Sequence, residues 1–263
     1  MFSKFYRALA AVLLLLSGNA IAQSAKPELL LYCGITMVHP MTEIARVFEA
    51  RENVKLSIAQ GGSEHLYQSA KKSGIGDWYL PGEPSFRVKY FKEGLLGSFV
   101  TVGYNQMALM VLKGNPKQVK GDQQELLRKD LTAIVGNATS GSVGQETKDI
   151  LDSLGIYQKV VKAVAFLSPD SRSLALALKR KEADLAMNWR AVGYFADNIG
   201  VVDPIDLNPN LAKPQALELS LLTSSRQPDI ARRFMTLTAS EEGQAIFRKH
   251  GFLDNKTPVA SKS

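Results

Sequence analysis

Four short stretches of the chain place a small hydroxyl residue between an apolar run and a segment with helical spacing. Glycines let another molecule approach the main chain closely, and the first turn of a helix carries unpaired N–H groups and a partial charge of about +0.5. Such groups bind anions. The four stretches are Gly34-Ile35-Thr36, Gly61-Gly62-Ser63, Thr139-Ser140-Gly141-Ser142-Val143-Gly144 and Pro169-Asp170-Ser171.

Each stretch taken alone also has a purely structural interpretation. Ser63 would then cap its helix, and Gly61 and Gly62 would form a tight turn. Hydroxyl residues are common at helix starts, so one such stretch is ordinary. Four of them, each between a strand and a helix, favour a set of hydroxyl and N–H donors arranged around one anion.

The elements that must position these stretches alternate along the chain. Apolar runs rich in Leu, Val and Ile alternate with amphipathic segments, which is typical of parallel strands joined by helices. A long extended stretch at Phe99–Lys113 predicts a strand that leaves one lobe and enters another, and "DPIDLNPNLAKP" predicts the return crossing. Val161–Leu167 is predicted as a strand. Open parallel sheets bind ligands at the carboxyl ends of their strands, so the cleft between the lobes is the expected site.

We therefore expect an α/β fold of two lobes, each a mainly parallel sheet flanked by helices, with two crossing strands as the hinge. Residues 23–103 and 214–263 are assigned to lobe 1 and residues 104–213 to lobe 2. The hinge crossings are expected near residue 104 and at residues 205–214.

The first 22 residues predict a cleavable signal peptide. Lys4 and Arg7 precede the apolar run Ala8–Leu16, and Ala20-Ile21-Ala22 is a small-x-small cleavage site. The run is shorter than the roughly 20 residues that span a bilayer. We expect a protein exported to the periplasm. Its formal charge of +7 becomes +5 when Lys4 and Arg7 are removed, and the scattered basic residues argue against a nucleic-acid partner.

Neither the histidines nor the single cysteine form a recognisable site. Cys33, His39 and His65 match no zinc spacing, and we interpret Cys33 as a buried residue at a strand end. A Cys33 thiol that faces the cleft would instead offer a ligand to a soft oxyanion such as arsenite. The sequence contains no nucleophile-and-base motif and no phosphate loop, so we expect neither an enzyme nor a cofactor or metal.

The chain resembles the periplasmic molybdate-binding proteins of ABC transporters, which have the type 2 periplasmic binding protein fold. The resemblance covers nearly all of the chain after the leader. It rests on the segments "LYCGITMVHPMTEIARVFE", "AQGGSEHL", "YNQMALMVLKGNP", "KRKEADLAMNW" and "PDIARRFMTLTASEEGQAIFRKHGF".

The resemblance implies a set of ligand-binding residues. Thr36 and Ser63 match the hydroxyl ligands of the two turns in lobe 1. Ser142 and Val143 match the helix start of lobe 2, where the Val143 N–H is a donor, and Ser171 matches a further backbone donor.

Three residues depart from the family pattern or lie beside the matched positions. Trp189 stands where the family usually has a tyrosine, and an indole has one N–H and no acceptor oxygen. Glu64 replaces a small hydroxyl residue, and would suit an anion that carries a proton, such as acid phosphate or arsenate. Arg190 would bind an oxyanion through two hydrogen bonds. The alternatives are a solvent-facing Glu64 that offsets its own helix dipole and a surface arginine.

The sequence thus predicts a monomeric solute-binding protein that captures a small tetrahedral oxyanion and delivers it to an ABC permease. A second hypothesis makes the protein the ligand-presenting partner of a membrane sensor. A third hypothesis, an enzyme on this fold, would need Glu64 as an acid–base residue in the cleft.

Overall fold

The protein is described from a computed structural model, which covers residues 26–208 and 210–254. The predicted signal peptide lies outside these residues. Within them, no helix is long and apolar enough to cross a membrane.

Two five-stranded sheets form the framework. Sheet 1 has the strand order β2-β1-β3-β10-β4, and sheet 2 has the order β7-β6-β8-β5-β9. The strands of sheet 1 are β1 (Glu28–Gly34), β2 (Lys55–Gly61), β3 (Trp78–Leu80), β4 (Leu96–Asn105) and β10 (Gln215–Leu222). Those of sheet 2 are β5 (Met107–Leu112), β6 (Ala133–Gly136), β7 (Leu167–Ser168), β8 (Leu185–Trp189) and β9 (Val202–Asp206).

Eight α-helices in the described residues flank the sheets. We call sheet 1 and its helices lobe 1, and sheet 2 and its helices lobe 2. Lobe 1 contains α1 (Val38–Glu52), α2 (Ser63–Ser73), α3 (Ser85–Tyr90), α7 (Pro228–Ala239) and α8 (Glu241–Lys249). Lobe 2 contains α4 (Ser142–Ser153), α5 (Tyr157–Ala163) and α6 (Ser171–Lys179).

Alternation along the strands separates two cores. In β1, Leu31 and Cys33 face the large core that continues into lobe 2, while Tyr32 between them faces a smaller core with Tyr67 and Tyr79. Helices α1 and α7 therefore cover one face of sheet 1, and α2 covers the other.

The α/β prediction is confirmed, and each sheet proves to be mixed. The pairs β1–β2, β1–β3, β6–β7 and β6–β8 are parallel, whereas the pairs that involve β4, β5, β9 and β10 are antiparallel. One strand in each sheet causes the difference: β10 in sheet 1 and β5 in sheet 2 run against the direction of the other four strands.

The long stretch predicted as one strand is divided at Gln106. The chain leaves sheet 1 at Asn105 and enters sheet 2 at Met107. The Gln106 side chain donates to the Ala212 carbonyl at 2.6 Å, which ties the outgoing crossing to the returning segment. The lobe limits assigned from the sequence stay a prediction.

The predicted strand at Val161–Leu167 is wrong. Residues Tyr157–Ala163 form α5, and only Leu167 and Ser168 pair with β6. The valines suggested a strand, but Ile156, Val160 and Val164 are spaced four residues apart and pack on the core from one side of a helix.

Strand β9 overlaps the start of the segment predicted as the return crossing. It pairs with β5 at the edge of sheet 2, where Pro204 is tolerated because an edge strand need not donate on its outer side.

Candidate functional site

One small cavity between the lobes is lined by all four hydroxyl-containing stretches. It lies at the carboxyl ends of β1, β2 and β3 in lobe 1 and of β6 and β7 in lobe 2. Its volume is about 10 Å³, which is roughly the space for one water molecule. The lining residues are Gly34, Ile35, Thr36, Gly61, Gly62, Ser63, Gly82, Gly141, Ser142, Val143, Pro169, Asp170 and Ser171.

Three helices begin at this cavity, and two of them have no side-chain cap. Gly62 is the N-cap of α2 and Gly141 is the N-cap of α4, and neither helix start has a hydrogen bond from a capping side chain. Helix geometry leaves the first N–H groups of both helices without a partner inside the helix. Ser63 and Ser142 are the first residues within their helices, so their hydroxyls do not cap them.

Main-chain and side-chain donors orient two of the hydroxyls. The Gly82 N–H donates to Ser63 Oγ at 3.1 Å, and the Trp189 indole N–H donates to Ser142 Oγ at 3.3 Å. A serine oxygen that accepts such a bond still has its own O–H to donate. Thr36 Oγ1 and Ser171 Oγ lie 3.4 Å apart, a contact that joins the two lobes.

The lining residues include no lysine, arginine or histidine. The charged side chain in the lining is Asp170, the N-cap of α6, whose Oδ1 accepts from the Ser173 N–H at 2.8 Å. Positive potential in the cavity therefore comes from the starts of α2, α4 and α6 and from hydroxyl dipoles. This environment suits a small anion.

Glycines allow the two lobes to approach each other at the cavity. A Cβ on Gly62 would overlap the Ser140 carbonyl oxygen, and a Cβ on Gly82 would overlap the Ser142 side chain. A Cβ on Gly61 would make only ordinary contacts, at 3.6 Å from Leu66 Cγ. The observed lobe contact thus requires glycine at 62 and 82 but not at 61.

The structure brings five of the eight predicted site residues into the cavity lining. These are Thr36, Ser63, Ser142, Val143 and Ser171. Trp189 is fully buried and reaches the cavity through its bond to Ser142. Gly82 was not singled out in the sequence; its position after β3, beside the ends of β1 and β2, was the signal available.

Glu64 and Arg190 lie outside the cavity lining. The Glu64 carboxylate accepts hydrogen bonds from Tyr90, from Lys89 at 2.9 Å and from Gln68 at 3.0 Å. Burial alone would raise the pKa of Glu64, but these bonds hold it below its ordinary value.

The Arg190 guanidinium is engaged in lobe 2. It donates to Asp206 at 2.9 Å and to the Tyr194 hydroxyl at 2.7 Å. Both partners lie outside the cavity lining as well.

Cys33 lies in the core of lobe 1. It is fully buried in β1 beside the first turn, and its side chain is not part of the cavity lining. Burial raises the pKa of its thiol, so the sulfur stays protonated.

Comparison with known proteins gives a family and a fold. A model of the family described as bacterial extracellular solute-binding protein matches residues 29–253. The molybdate-binding protein ModA of Mycobacterium bovis is 23% identical over 233 residues, which cover 86% of this chain and 84% of that protein.

Solved structures support the two-lobed periplasmic binding protein fold. The sulfate-binding protein SubI from Mycobacterium tuberculosis matches with a TM-score of 0.79 and 13% identity, over 88% of each chain. The periplasmic molybdate-binding protein of Azotobacter vinelandii matches with a TM-score of 0.72 and 14% identity, over 86% of this chain and 98% of that one. A periplasmic thiamin-binding protein also matches, with a TM-score of 0.74 and 18% identity over 88% of this chain and 85% of that one, so the fold alone does not fix the ligand.

The role of Asp170 as the N-cap of α6 can be tested by measuring the free energy of unfolding. Replacing Asp170 with Ala removes the bond to the Ser173 N–H, and we expect the free energy of unfolding to fall by about 1 kcal/mol. Urea denaturation would measure this loss. Asp170→Asn keeps a capping oxygen and should stay close to the parent chain; equal stability of Asp170→Ala and the parent would contradict the assignment.

Proposed function

Since the chain belongs to the bacterial extracellular solute-binding proteins, we propose that it captures a small, fully ionised tetrahedral oxyanion of the molybdate, tungstate or sulfate type between its lobes. The observation that supports this proposal most is the meeting of three helix starts and four buried hydroxyls at one cavity without a cation in its lining. A fully ionised oxyanion has only acceptor oxygens, and it matches a cavity that presents donors.

The ligand contacts follow from the lining. Thr36, Ser63, Ser142 and Ser171 supply hydroxyls, and the Val143 N–H is one of the free donors at the start of α4. Trp189 acts through Ser142: its N–H occupies an oxygen lone pair and leaves the Ser142 proton for the ligand. Glu64 and Arg190 keep their partners in lobes 1 and 2 and do not touch the ligand.

Asp170 favours a second candidate, an oxyanion that carries a proton. An acid phosphate or arsenate needs an acceptor in the cavity, and the Asp170 carboxylate is part of the lining. One of its oxygens already accepts from the Ser173 N–H, which leaves the other for this role. Glu64, which the sequence suggested for this task, is occupied by Tyr90, Lys89 and Gln68.

Capture in this cavity would serve transport. The family membership and the relatives named as binding proteins support delivery to an ABC permease rather than catalysis. Glu64, the residue that the sequence suggested as the acid–base group of an enzyme, is not among the lining residues. Stimulation of a permease ATPase by the loaded protein would favour transport, and activation of a sensor kinase would favour signalling.

A thermal-shift panel identifies the ligand class. It comprises molybdate, tungstate, sulfate, phosphate, arsenate and arsenite, because a ligand that binds only the folded chain raises its melting temperature. A shift with the first three anions supports the proposal. A shift with phosphate and arsenate alone would favour the second candidate, and no shift with any of the six would contradict both.

The hydroxyl ligands are tested by single substitutions. Thr36→Ala and Ser63→Ala should each weaken binding of the responding anion by about 1 to 3 kcal/mol, because each removes a hydrogen bond to a charged group. Isothermal titration calorimetry gives the affinities. Glu64→Gln and Arg190→Gln serve as controls and should change affinity by less than about 0.5 kcal/mol. The site assignment is wrong if the two controls weaken binding and the two hydroxyl variants do not.

Lobe closure is tested by a matched pair of glycine variants. Gly62→Ala places a methyl group against the Ser140 carbonyl and should hold the lobes apart, so affinity for the responding anion should fall by about tenfold or more. Gly61→Ala adds the same methyl group where there is room, and it should bind like the parent chain. Small-angle X-ray scattering with the anion present should show a larger radius of gyration for Gly62→Ala alone. Equal anion affinities and equal radii of gyration of the two variants would contradict the closure model.

A further inference from the structure

Two buried carboxyl groups, one from each lobe, lie near the anion cavity. Glu83 follows β3 in lobe 1 and is 4% exposed; Glu146 lies on α4 in lobe 2 and is 6% exposed. Gly82, next to Glu83 in the chain, packs against the side chain of Ser142. Ser142 and Glu146 are four residues apart on α4 and share one helix face. The interface therefore buries an acidic residue from each lobe.

The two carboxyl groups have different hydrogen-bond partners. Glu83 accepts from both the N–H and the hydroxyl of Ser85, at 2.7 and 2.5 Å. Glu146 accepts from the Gln215 amide at 3.0 Å. Glu83 thus has more support for a negative charge, and Glu146 is the better position for a proton.

No cation neutralises this pair among the described residues. The Arg87 guanidinium is paired with Glu218 and stacked 3.7 Å above the Phe99 ring. Lys148, on α4, is paired with Asp152. The charged groups that act on Glu83 and Glu146 are therefore acidic ones.

Burial and neighbouring charge both favour a proton on Glu146. Burial, followed by the charge of Glu83, raises the pKa of Glu146 to about 7; Asp149 adds to this, and the Gln215 bond opposes it. Burial likewise raises the pKa of Glu83, with the Ser85 bonds acting against it and Asp149 and Glu218 adding to it.

Tyr79, whose pKa is also affected by Glu83, stays neutral. Burial raises the pKa of its hydroxyl well above the ordinary value, and the hydroxyl donates to the Ser63 carbonyl at 2.9 Å. Tyr79 therefore supplies no charge that could pair with the two carboxyl groups.

We propose that Glu83 and Glu146 form a proton-binding site that is completed when the lobes close, so that oxyanion capture takes up a proton at Glu146. The inference rests on the proposed function, because closure around the anion is what buries the pair. In the open form both carboxyl groups would be exposed to solvent, and each would have the unperturbed glutamate pKa of about 4.3. The closed form binds the proton more tightly, so falling pH favours closure, and the advantage is lost as pH rises through about 7.

His39 is another titratable group at the lobe interface. Closure would favour loss of a proton from His39, whereas it would favour gain of a proton at Glu146. Its ring lies 4.9 Å from the Phe195 ring of lobe 2, centroid to centroid, and 6.3 Å from the His250 ring of lobe 1. Burial, then the charge of Arg172, lowers the pKa of His39 below 6.5, while Asp197 opposes this shift and His250 adds to it. Because the pKa of His39 in the open form is near 6.5, closure would release up to about a quarter of a proton from it at pH 7. The Glu83–Glu146 pair is therefore measured in chains that carry His39→Gln.

Calorimetry on the chain without its leader tests the inference with molybdate and with sulfate, which stay fully ionised in this pH range. Titrations at pH 7 in two buffers of different ionisation enthalpy give the number of protons taken up. With His39→Gln as the common background of all the chains compared, we expect about half a proton per anion bound, and an affinity about fourfold higher at pH 6.5 than at pH 8. In Glu146→Gln, the uptake and the pH dependence should disappear, and binding at pH 8 should be tighter than in the parent chain.

Matched variants distinguish proton uptake at this site from proton uptake elsewhere in the chain. Glu182→Gln removes an exposed carboxylate of lobe 2 and should keep the uptake of the parent chain. Glu83→Gln removes a charge that raises the pKa of Glu146 and should reduce the uptake, which keeps the test valid if Glu146→Gln fails to fold. Restoring His39 should lower the net uptake at pH 7 by up to about a quarter of a proton.

Two outcomes would overturn the inference in distinguishable ways. Anion binding without proton uptake, or with uptake that persists in both the Glu83 and Glu146 variants, would refute the proton site and leave the proposed function standing. A chain that binds neither anion would refute the proposed function and the proton site together.

Discussion

The proposed anion, held without a cation, must gain its stabilisation from N–H and O–H groups that converge on one point, and this constraint would account for most of the structure around the cavity. Helix starts supply such groups at little cost, because their first N–H groups have no partner within the helix. Placing three helix starts together requires strands that end at one edge, and β2, β6 and β7 lead directly to α2, α4 and α6. Two sheets are needed because donors from one edge alone surround only part of the ligand.

The same constraint explains why the lobes approach each other closely at two glycines. At Gly62 and Gly82 the opposing lobe occupies the volume of a Cβ, so any larger residue would separate the donors of lobe 1 from those of lobe 2. Asp170 is the exception at the three helix starts, because its carboxylate caps α6 while α2 and α4 begin at glycine. The positive potential from unpaired N–H groups is therefore strongest at the starts of α2 and α4.

The alternation of strands and helices and the four hydroxyl stretches could be predicted from the sequence, because both are local patterns. The direction in which each side chain points could not be predicted from the sequence. Glu64 follows Ser63 directly, yet successive residues of a helix point about 100° apart, and Glu64 turns to Tyr90 and Lys89 while Ser63 faces the cavity. Arg190 begins a 3-10 turn after Trp189 and finds Asp206 on the neighbouring edge strand. The valines of α5 show that residue type misleads where spacing and packing decide.

Long-range pairing explains why Glu83 and Glu146 carried no signal in the sequence. They are distant along the chain and each lies in an unremarkable segment, yet both are buried in the folded chain. An anion bound beside them adds a further negative charge to the same interface, which disfavours an ionised Glu146 even more. Linkage is reciprocal, so a proton on Glu146 must strengthen anion binding by the same free energy with which the anion strengthens the proton. In the proposed closed form the acidic pair opposes the anion most when both carboxyl groups are charged, and a proton on Glu146 removes the part of that opposition that Glu146 causes.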